Sequence, residues 1–312
     1  MIAYIIRRLL YTVPIVIGVL LLTFTLFTLV GGDISIEIAG KNATPETIAE
    51  IRHEYGLDKP LFWSWDSQFI NHFKDALTFN FGRARDRELV IDKIKRGVGP
   101  SLSLTVPMFI GIIVISVSIS LVLAFIRGSK WDVTAVVICV AGMSIPYLSF
   151  ILFGQYFFAY KWGLFPVFFS PELSAAQYTI LPILIGIVTG LGANVRFYRA
   201  VMLDEMRSDY VRTAFAKGLT TRRVLFKHVL KNAMIPIITT VVLAIPFLFV
   251  GSLLLEKFFG IPGIGYLMIE AIGSRDYAVI NAMTYISALL IVVFNVITDV
   301  CYALADPRIK FD

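Results

Sequence analysis

The sequence predicts an all-α polytopic membrane protein with six transmembrane helices and a small external insertion after the first. Three observations lead there. The chain is 57% hydrophobic and 16% charged, whereas soluble domains are about 45–50% apolar and 25% charged. Its mean hydropathy is +0.79. Its apolar residues also gather into charge-free runs at 9–30, 100–126, 133–160, 173–195, 233–255 and 277–298. Each is long enough to cross a hydrocarbon core about 30 Å thick, which takes roughly 20 residues. A helix is the open-chain structure that satisfies its own backbone hydrogen bonds in lipid, so each run reads as one crossing.

The first run, taken with residues 1–30 as an N-terminal span, follows Arg7-Arg8 and lacks an A-x-A-like cleavage site. Its length exceeds the 7–15 apolar residues usual in a signal peptide, so it reads as a retained anchor. No Gly follows Met1 and the chain ends Lys310-Phe311-Asp312, so neither myristoylation nor prenylation is signalled. Residues 31–99 form the insertion. Thr44-Pro45-Glu46-Thr47 followed by Ile48, Ile51 and Tyr55 reads as a capped short helix ended near Gly56, and 63–77 as a second, amphipathic one. A lid on the membrane domain and a docking surface for an external protein are both open readings.

Residues 100–312 hold the remaining five spans. The third contains Gly142, Ser144 and Pro146; a proline inside a helix removes a hydrogen bond and bends it, and such breaks can line a transport pathway. Asn194, Arg196 and Arg199 end the fourth span, and Asp299 sits near the end of the sixth. There, long basic side chains reach back to water and anchor the helix ends. Cys139 and Cys301 both lie in apolar stretches, which predicts packing thiols and no disulfide framework.

An even number of spans puts both termini on one side, and charge says which. With the termini cytoplasmic, the inside segments carry Arg7 and Arg8, Arg127 and Lys130, seven basic residues from Arg207 to Lys231, and Arg308 and Lys310. The short outside loops carry Lys161, Lys257 and Arg275. That asymmetry follows the positive-inside rule, from which loops longer than about 60 residues are largely exempt. The net charge of +6 and pI of 9.2 are therefore explained by membrane orientation and lipid headgroups, and no nucleic-acid partner is expected.

The inside loop 203–232 is the richest in signals. Ser208 or Asp209 can cap a helix over 210–217, Gly218 can supply the positive φ that stops it, and Thr220 or Thr221 can cap a second. Val211, Ala214 and Phe215 recur at helical spacing, and small Ala214 and Ala216 beside Gly218 would let another backbone approach. A basic helix lying on anionic headgroups is the alternative. No chemistry is legible in the chain. His53, His72 and His228 lie outside the spans, and neither H-E-x-x-H nor the phosphate-binding G-x-x-x-x-G-K-[ST] occurs. No catalytic residue, metal site or cofactor is expected.

These residues resemble the membrane permeases of the oligopeptide and dipeptide ATP-binding-cassette importers, in the branch of the first of the two paired permeases. The family's cytoplasmic signature is matched by Glu205, Asp209-Tyr210-Val211, Ala214, Ala216-Lys217-Gly218-Leu219, His228, Asn232-Ala233 and Pro236. Phe215 stands where arginine is usual. Arg7-Arg8-Leu9-Leu10 with Pro14, Tyr55-Gly56-Leu57-Asp58-Lys59-Pro60 and Asn80-Phe81-Gly82 are similar to further landmarks. So are Gly260-Ile261-Pro262-Gly263-Ile264-Gly265, Arg275-Asp276-Tyr277 and Asp306-Pro307-Arg308, with Gly31-Gly32-Asp33 and Ala278 departing from the usual pattern.

The resemblance implies the type I importer permease fold. It implies a paired homologous permease, two cytoplasmic ATPases that bind ATP and Mg, and an external binding protein that delivers a peptide. Glu205, Asp209, Tyr210, Ala214, Ala216, Lys217, Gly218 and Leu219 would then form the ATPase-coupling segment. Pro146, Glu256, Arg275 and Asp276 are the candidates for the pathway, Glu256 meeting either charges on the cargo or a local cap. Chelated nickel and glutathione are alternative cargoes. An ion-coupled secondary transporter, which needs buried ionisable groups at mid-membrane, and a receptor or scaffold are the rival classes.

Overall fold

The computed structural model describes residues 2–30, 34–39, 43–54 and 56–305. Gly31-Gly32-Asp33, Tyr55, Asp306-Pro307-Arg308 and Lys310 lie outside the described residues, as do the side chains of Asp299 and Cys301. Among the described residues the regular structure is helical, apart from one isolated bridge between Arg83 and Leu89. In chain order come α1 (Ile2–Phe24), α2 (Ile34–Ala39), α3 (Pro45–Glu54), α4 (Gln68–Leu77), α5 (Val90–Phe125), α6 (Lys130–Ser144) and α7 (Tyr147–Gly154). They are followed by α8 (Ala175–Glu205), α9 (Asp209–Ala216), α10 (Thr221–Val224), α11 (Leu230–Val250), α12 (Leu253–Phe259), α13 (Ile264–Ser274) and α14 (Tyr277–Ala305). Wider π-helical turns continue α1 over Thr25–Val30, α7 over Gln155–Lys161 and α10 over Leu225–Val229.

α5, α8, the stretch Thr221–Phe259 and Tyr277–Thr298 of α14 are each long and apolar enough to cross a membrane. A fifth span arises if Lys130–Ser144 and Tyr147–Lys161 are taken together, and Leu10–Phe24 of α1 is a shorter apolar helix. The bend expected of Pro146 in the third apolar run is a full break: its halves are two helices that meet at 91°. Pro146 donates no backbone hydrogen bond, and Ile145 before it is forced to extended φ −85°, ψ 127°. The fifth run is broken too, at Gly251, whose φ is +78°. The second begins earlier than charge alone indicated, because Val90 to Gly99 are already the first turns of α5.

Two compact units divide the chain, Met1–Gly97 with Leu267–Ala303, and Val98–Tyr266. In the first, Leu20 of α1, Ala76 of α4 and Tyr285 of α14 are buried together, with Val16, Phe73 and Leu289 packed around them. Helix α3 starts at Pro45 and ends before Gly56, which has φ +64°. Helix α4 begins five residues later than its apolar pattern predicts. Trp63 has a φ of +67°, outside the helical region, and Ser67 sets the start by accepting a hydrogen bond from the Ile70 amide at 3.3 Å.

The second unit is organised along α8, which has a buried cluster toward each end. Leu104, Ile151, Leu181, Ile185, Leu255, Phe259 and Ile261 form one, and Leu121, Tyr198, Met202, Val211, Ala214, Val224, Leu225 and Ile237 are among the residues of the other. From Ile185 to Tyr198 is about 20 Å at 1.5 Å per residue. Gly186 and Gly190 face Met108 and Ile112, side chains that an added methyl would strike at 2.0 and 2.7 Å, while Gly111 of α5 faces Ile187 in return. Small residues four apart on a helix are how apolar helices approach closely where lipid offers no hydrophobic drive.

Candidate functional site

The loop 203–232 folds as its sequence predicts, into a helix, a tight turn and a second helix. Ser208, extended at φ −68°, ψ 149°, is the N-cap residue of α9. Gly218, at φ +77°, ends it. The Gly218 amide donates to the Phe215 carbonyl at 2.9 Å and the Leu219 amide to the Ala214 carbonyl at 3.3 Å. That double reversal is a Schellman cap, and its customary apolar contact is present, since Leu219 packs on the cluster that contains Ala214. Thr220, again extended, precedes α10.

The two faces of α9 differ in fate. Val211 and Ala214 are buried in the core that also holds Tyr198, Met202 and Val229. Ala214, expected as a small residue over which a partner's backbone could pass, instead seats the helix on its own protein. The outward face is built from Asp209, Tyr210, Arg212, Thr213, Phe215, Ala216 and Lys217, all exposed. Phe215, too, points away from the core that its spacing with Val211 and Ala214 implied. Beside this face a shallow hollow is lined by Thr220, Arg222, Arg223 and Phe226.

Tyr210 ties the segment to what precedes and follows it. Its hydroxyl donates to Glu205 Oε2 at the end of α8, and it also interacts with Asn232 at the start of α11. Burial first, then the Glu205 carboxylate beside it, push its phenol above the usual tyrosine range. Glu205, Tyr210 and Asn232 thus join the three helices that surround the turn.

A second tie at this end of α8 was not anticipated from the sequence. Arg199 Nε and Nη2 donate to Asp132 Oδ1 and Oδ2, both at 2.7 Å. Asp132 is nearly fully buried and also accepts the Gly128 amide at 3.0 Å. Arg199 is therefore a fork on a carboxylate rather than a cation reaching to water; such bidentate pairs fix geometry as well as charge. The available signal was Ser129-x-x-Asp132, a capping pattern at the start of an apolar run. Asn194 is satisfied on its own helix, its Nδ2 donating to the Gly190 carbonyl at 2.8 Å.

The family description "binding-protein-dependent transport system inner membrane component" matches residues 116–311, and that of the N-terminal membrane component of the same systems matches residues 1–86. The chain belongs to this family. It is 33% identical to the dipeptide transport system permease protein DppB of Alkalihalophilus pseudofirmus, with 100% of both chains covered. It is 33% identical to the glutathione transport system permease protein GsiC of Shigella flexneri and 32% identical to that of Escherichia coli, again over 100% of each chain. It is thus an integral membrane permease component of a transport system.

Two of the four pathway candidates of this permease, Glu256 and Asp276, are held in internal bonds. Glu256 is 0% exposed. Its Oε1 accepts from Ser101 Oγ at 2.8 Å and the Ser252 amide at 2.9 Å, and its Oε2 from the Tyr266 amide at 3.0 Å. Ser101 Oγ in turn accepts the Ile264 amide at 2.7 Å. A methyl added at Gly251 or Gly263 would lie 2.4 or 2.3 Å from a Glu256 oxygen, so the glycines of this loop make room for the carboxylate. Of the two roles open to Glu256, cargo contact and local cap, the geometry fits the cap: both its oxygens accept from the chain's own donors, and it staples the loop 251–266 onto α5.

Asp276 is likewise held by the chain's own donors. It is buried, its Oδ2 accepts the Arg85 amide at 2.9 Å, and Arg85 Nη1 donates to the Ser274 carbonyl at 2.6 Å. It fastens the 83–89 turn to the corner between α13 and α14. Arg275, at φ +54°, turns that corner with its side chain exposed. Pro146 is exposed at the 91° bend. Of the four pathway candidates, only Arg275 and Pro146 present a free surface.

Proposed function

We propose that this permease pairs with a homologous permease to form the pathway of an ATP-binding-cassette importer for short peptides. Two cytoplasmic ATPase subunits drive it, and an external binding protein delivers the cargo. The observation that carries the proposal is the construction of 203–232. A short helix is anchored by Val211 and Ala214 in the core around α8 and tied through Tyr210 to Glu205, yet presents a full polar and aromatic face outward. A segment held that firmly behind and open in front transmits a push from a partner to the helices it is tied to.

In this reading the exposed face of α9, with Gly218 and the hollow at Arg222 and Arg223, receives the ATPase. Closure of the ATPase pair draws the two coupling segments together and tilts α8 and α11 from inward-open to outward-open. A loaded binding protein raises ATP turnover only if it binds these two states differently. The relatives named for dipeptide and glutathione transport support a peptide or peptide-like cargo. The chain's own membership of a binding-protein-dependent transport family weighs against an ion-coupled secondary transporter. Purification in mild detergent should bring down a nucleotide-hydrolysing partner, and a deletion strain should fail to deplete labelled di- and oligopeptides from its medium. Transport that persists without any ATPase subunit would overturn the proposal.

A further inference from the structure

The loop between α3 and α4 carries two tryptophans that the fold does not use. Trp63 is 102% exposed and Trp65 90%, beside a partly exposed Leu61. The loop is nevertheless well fastened. Gln68 Nε2 donates to the Leu57 and Lys59 carbonyls at 3.0 and 2.7 Å, its amide donates to the Pro60 carbonyl at 2.9 Å, and Lys59 is paired with Asp66 at 2.7 Å. Trp63 sits in the left-handed region at φ +67°, a conformation bulky residues seldom adopt. A fixed loop thus holds two indoles away from the protein at the cost of backbone strain.

Their depth can be read within the same unit. Phe62, next to Trp63, and Phe69 both make edge contacts with Phe24, at 5.5 and 5.4 Å between centroids. Phe24 ends α1. From Arg7 it is about 26 Å along the helix at 1.5 Å per residue, close to the roughly 30 Å of a bilayer's hydrocarbon core. The loop therefore packs near the distal end of the first span, within two turns of Val30. The chain places its other tryptophans in the same manner. Trp131 follows Lys130 at the start of α6 and Trp162 follows Lys161 at the end of the bent pair, 77% and 55% exposed. Tryptophan and lysine at helix ends are the membrane-interface pairing.

We infer that Trp63 and Trp65 insert into the headgroup region of the leaflet at the distal end of α1 and pin the 31–99 insertion to the lipid surface. The partner is a phospholipid interface. This goes beyond the transport reading and depends on neither cargo nor ATPase.

The test uses the full chain in phosphatidylcholine nanodiscs, carrying Trp131→Phe and Trp162→Phe so that emission comes from the loop; a Trp63→Phe, Trp65→Phe protein gives the blank. Lipid brominated near the headgroup should quench the loop indoles more strongly than lipid brominated near the chain ends, and aqueous iodide should quench them weakly. Strong iodide quenching with no response to either bromolipid would overturn the inference. So would iodide accessibility that is lost only when the binding protein is added, which would make the loop a protein-docking site.

Discussion

At the scale of single residues, the decisive fact is where acceptors are spent. Glu256 uses both carboxylate oxygens on donors that include Ser101 Oγ and the amides of Ser252 and Tyr266. Each donor left unsatisfied in a buried site costs about 1–3 kcal/mol. Glu256→Ala should therefore lower stability by several kcal/mol, read as a fall in Tm in detergent, and Glu256→Gln, which keeps one acceptor, by less. Ser101→Ala should give part of the same loss, and its effect should not add fully to that of Glu256→Gln, because the two share one network. A variant that keeps its Tm while changing which charged peptides are taken up would return Glu256 to the pathway.

The same residue shows where sequence reasoning stops. A carboxylate beside an apolar run could equally be a cap, a rim ion pair or a cargo contact, and nothing local decides among them. Its serine partner lies 155 positions away, and Asp276 accepts from an amide 191 positions away. Contacts of that separation leave no periodic trace in one sequence. Asp132 was missed for a related reason: its cap pattern is local, but its arginine lies 67 residues off.

At the scale of elements, much was legible because the signals are local. A helix over 210–217, its glycine stop and a second cap at Thr220 or Thr221 were readable from residue types alone, since capping and positive φ act over three or four residues; the structure starts the helix at Asp209 and selects Thr220. The proline break was also readable, though not its size. A kink in a continuous helix was the natural expectation, but extended Ile145 opens it into two helices. The start of α4 was misplaced because the amphipathic pattern includes Trp63, whose φ of +67° no helix accommodates.

Gly218 carries the element-scale prediction. A side chain there would meet nothing within 4 Å, so substitution acts through backbone strain alone, about 1–2 kcal/mol for an L-residue in the left-handed region. Gly218→Asn, which tolerates that region, should preserve uptake. Gly218→Val should keep insertion and expression but loosen the Schellman cap, lowering peptide taken up per ATP hydrolysed in reconstituted vesicles. Equal coupling in the two variants would mean that the turn does not transmit the stroke.

At the scale of the whole molecule, the proposed mechanism needs the coupling segment on the ATPase side of the membrane and the loop before α8 on the other. The positive-inside rule predicts these sides. Arg207, Arg212, Lys217, Arg222, Arg223, Lys227 and Lys231 fall within 203–232, whereas the stretch 162–174 carries no basic residue and one acid, Glu172. With Cys139 and Cys301 replaced by serine, Ser208→Cys and Glu172→Cys give a matched pair of reporters. In intact cells a membrane-impermeant maleimide should label Glu172→Cys and leave Ser208→Cys untouched, and in inverted vesicles the pattern should reverse. An even number of crossings between the two reporters, revealed by labelling from the same side, would put α9 beyond the reach of any cytoplasmic ATPase. Ser208→Cys labelled from outside would do the same, whatever partner co-purifies, because a segment can be pushed only by a protein on its own side of the bilayer.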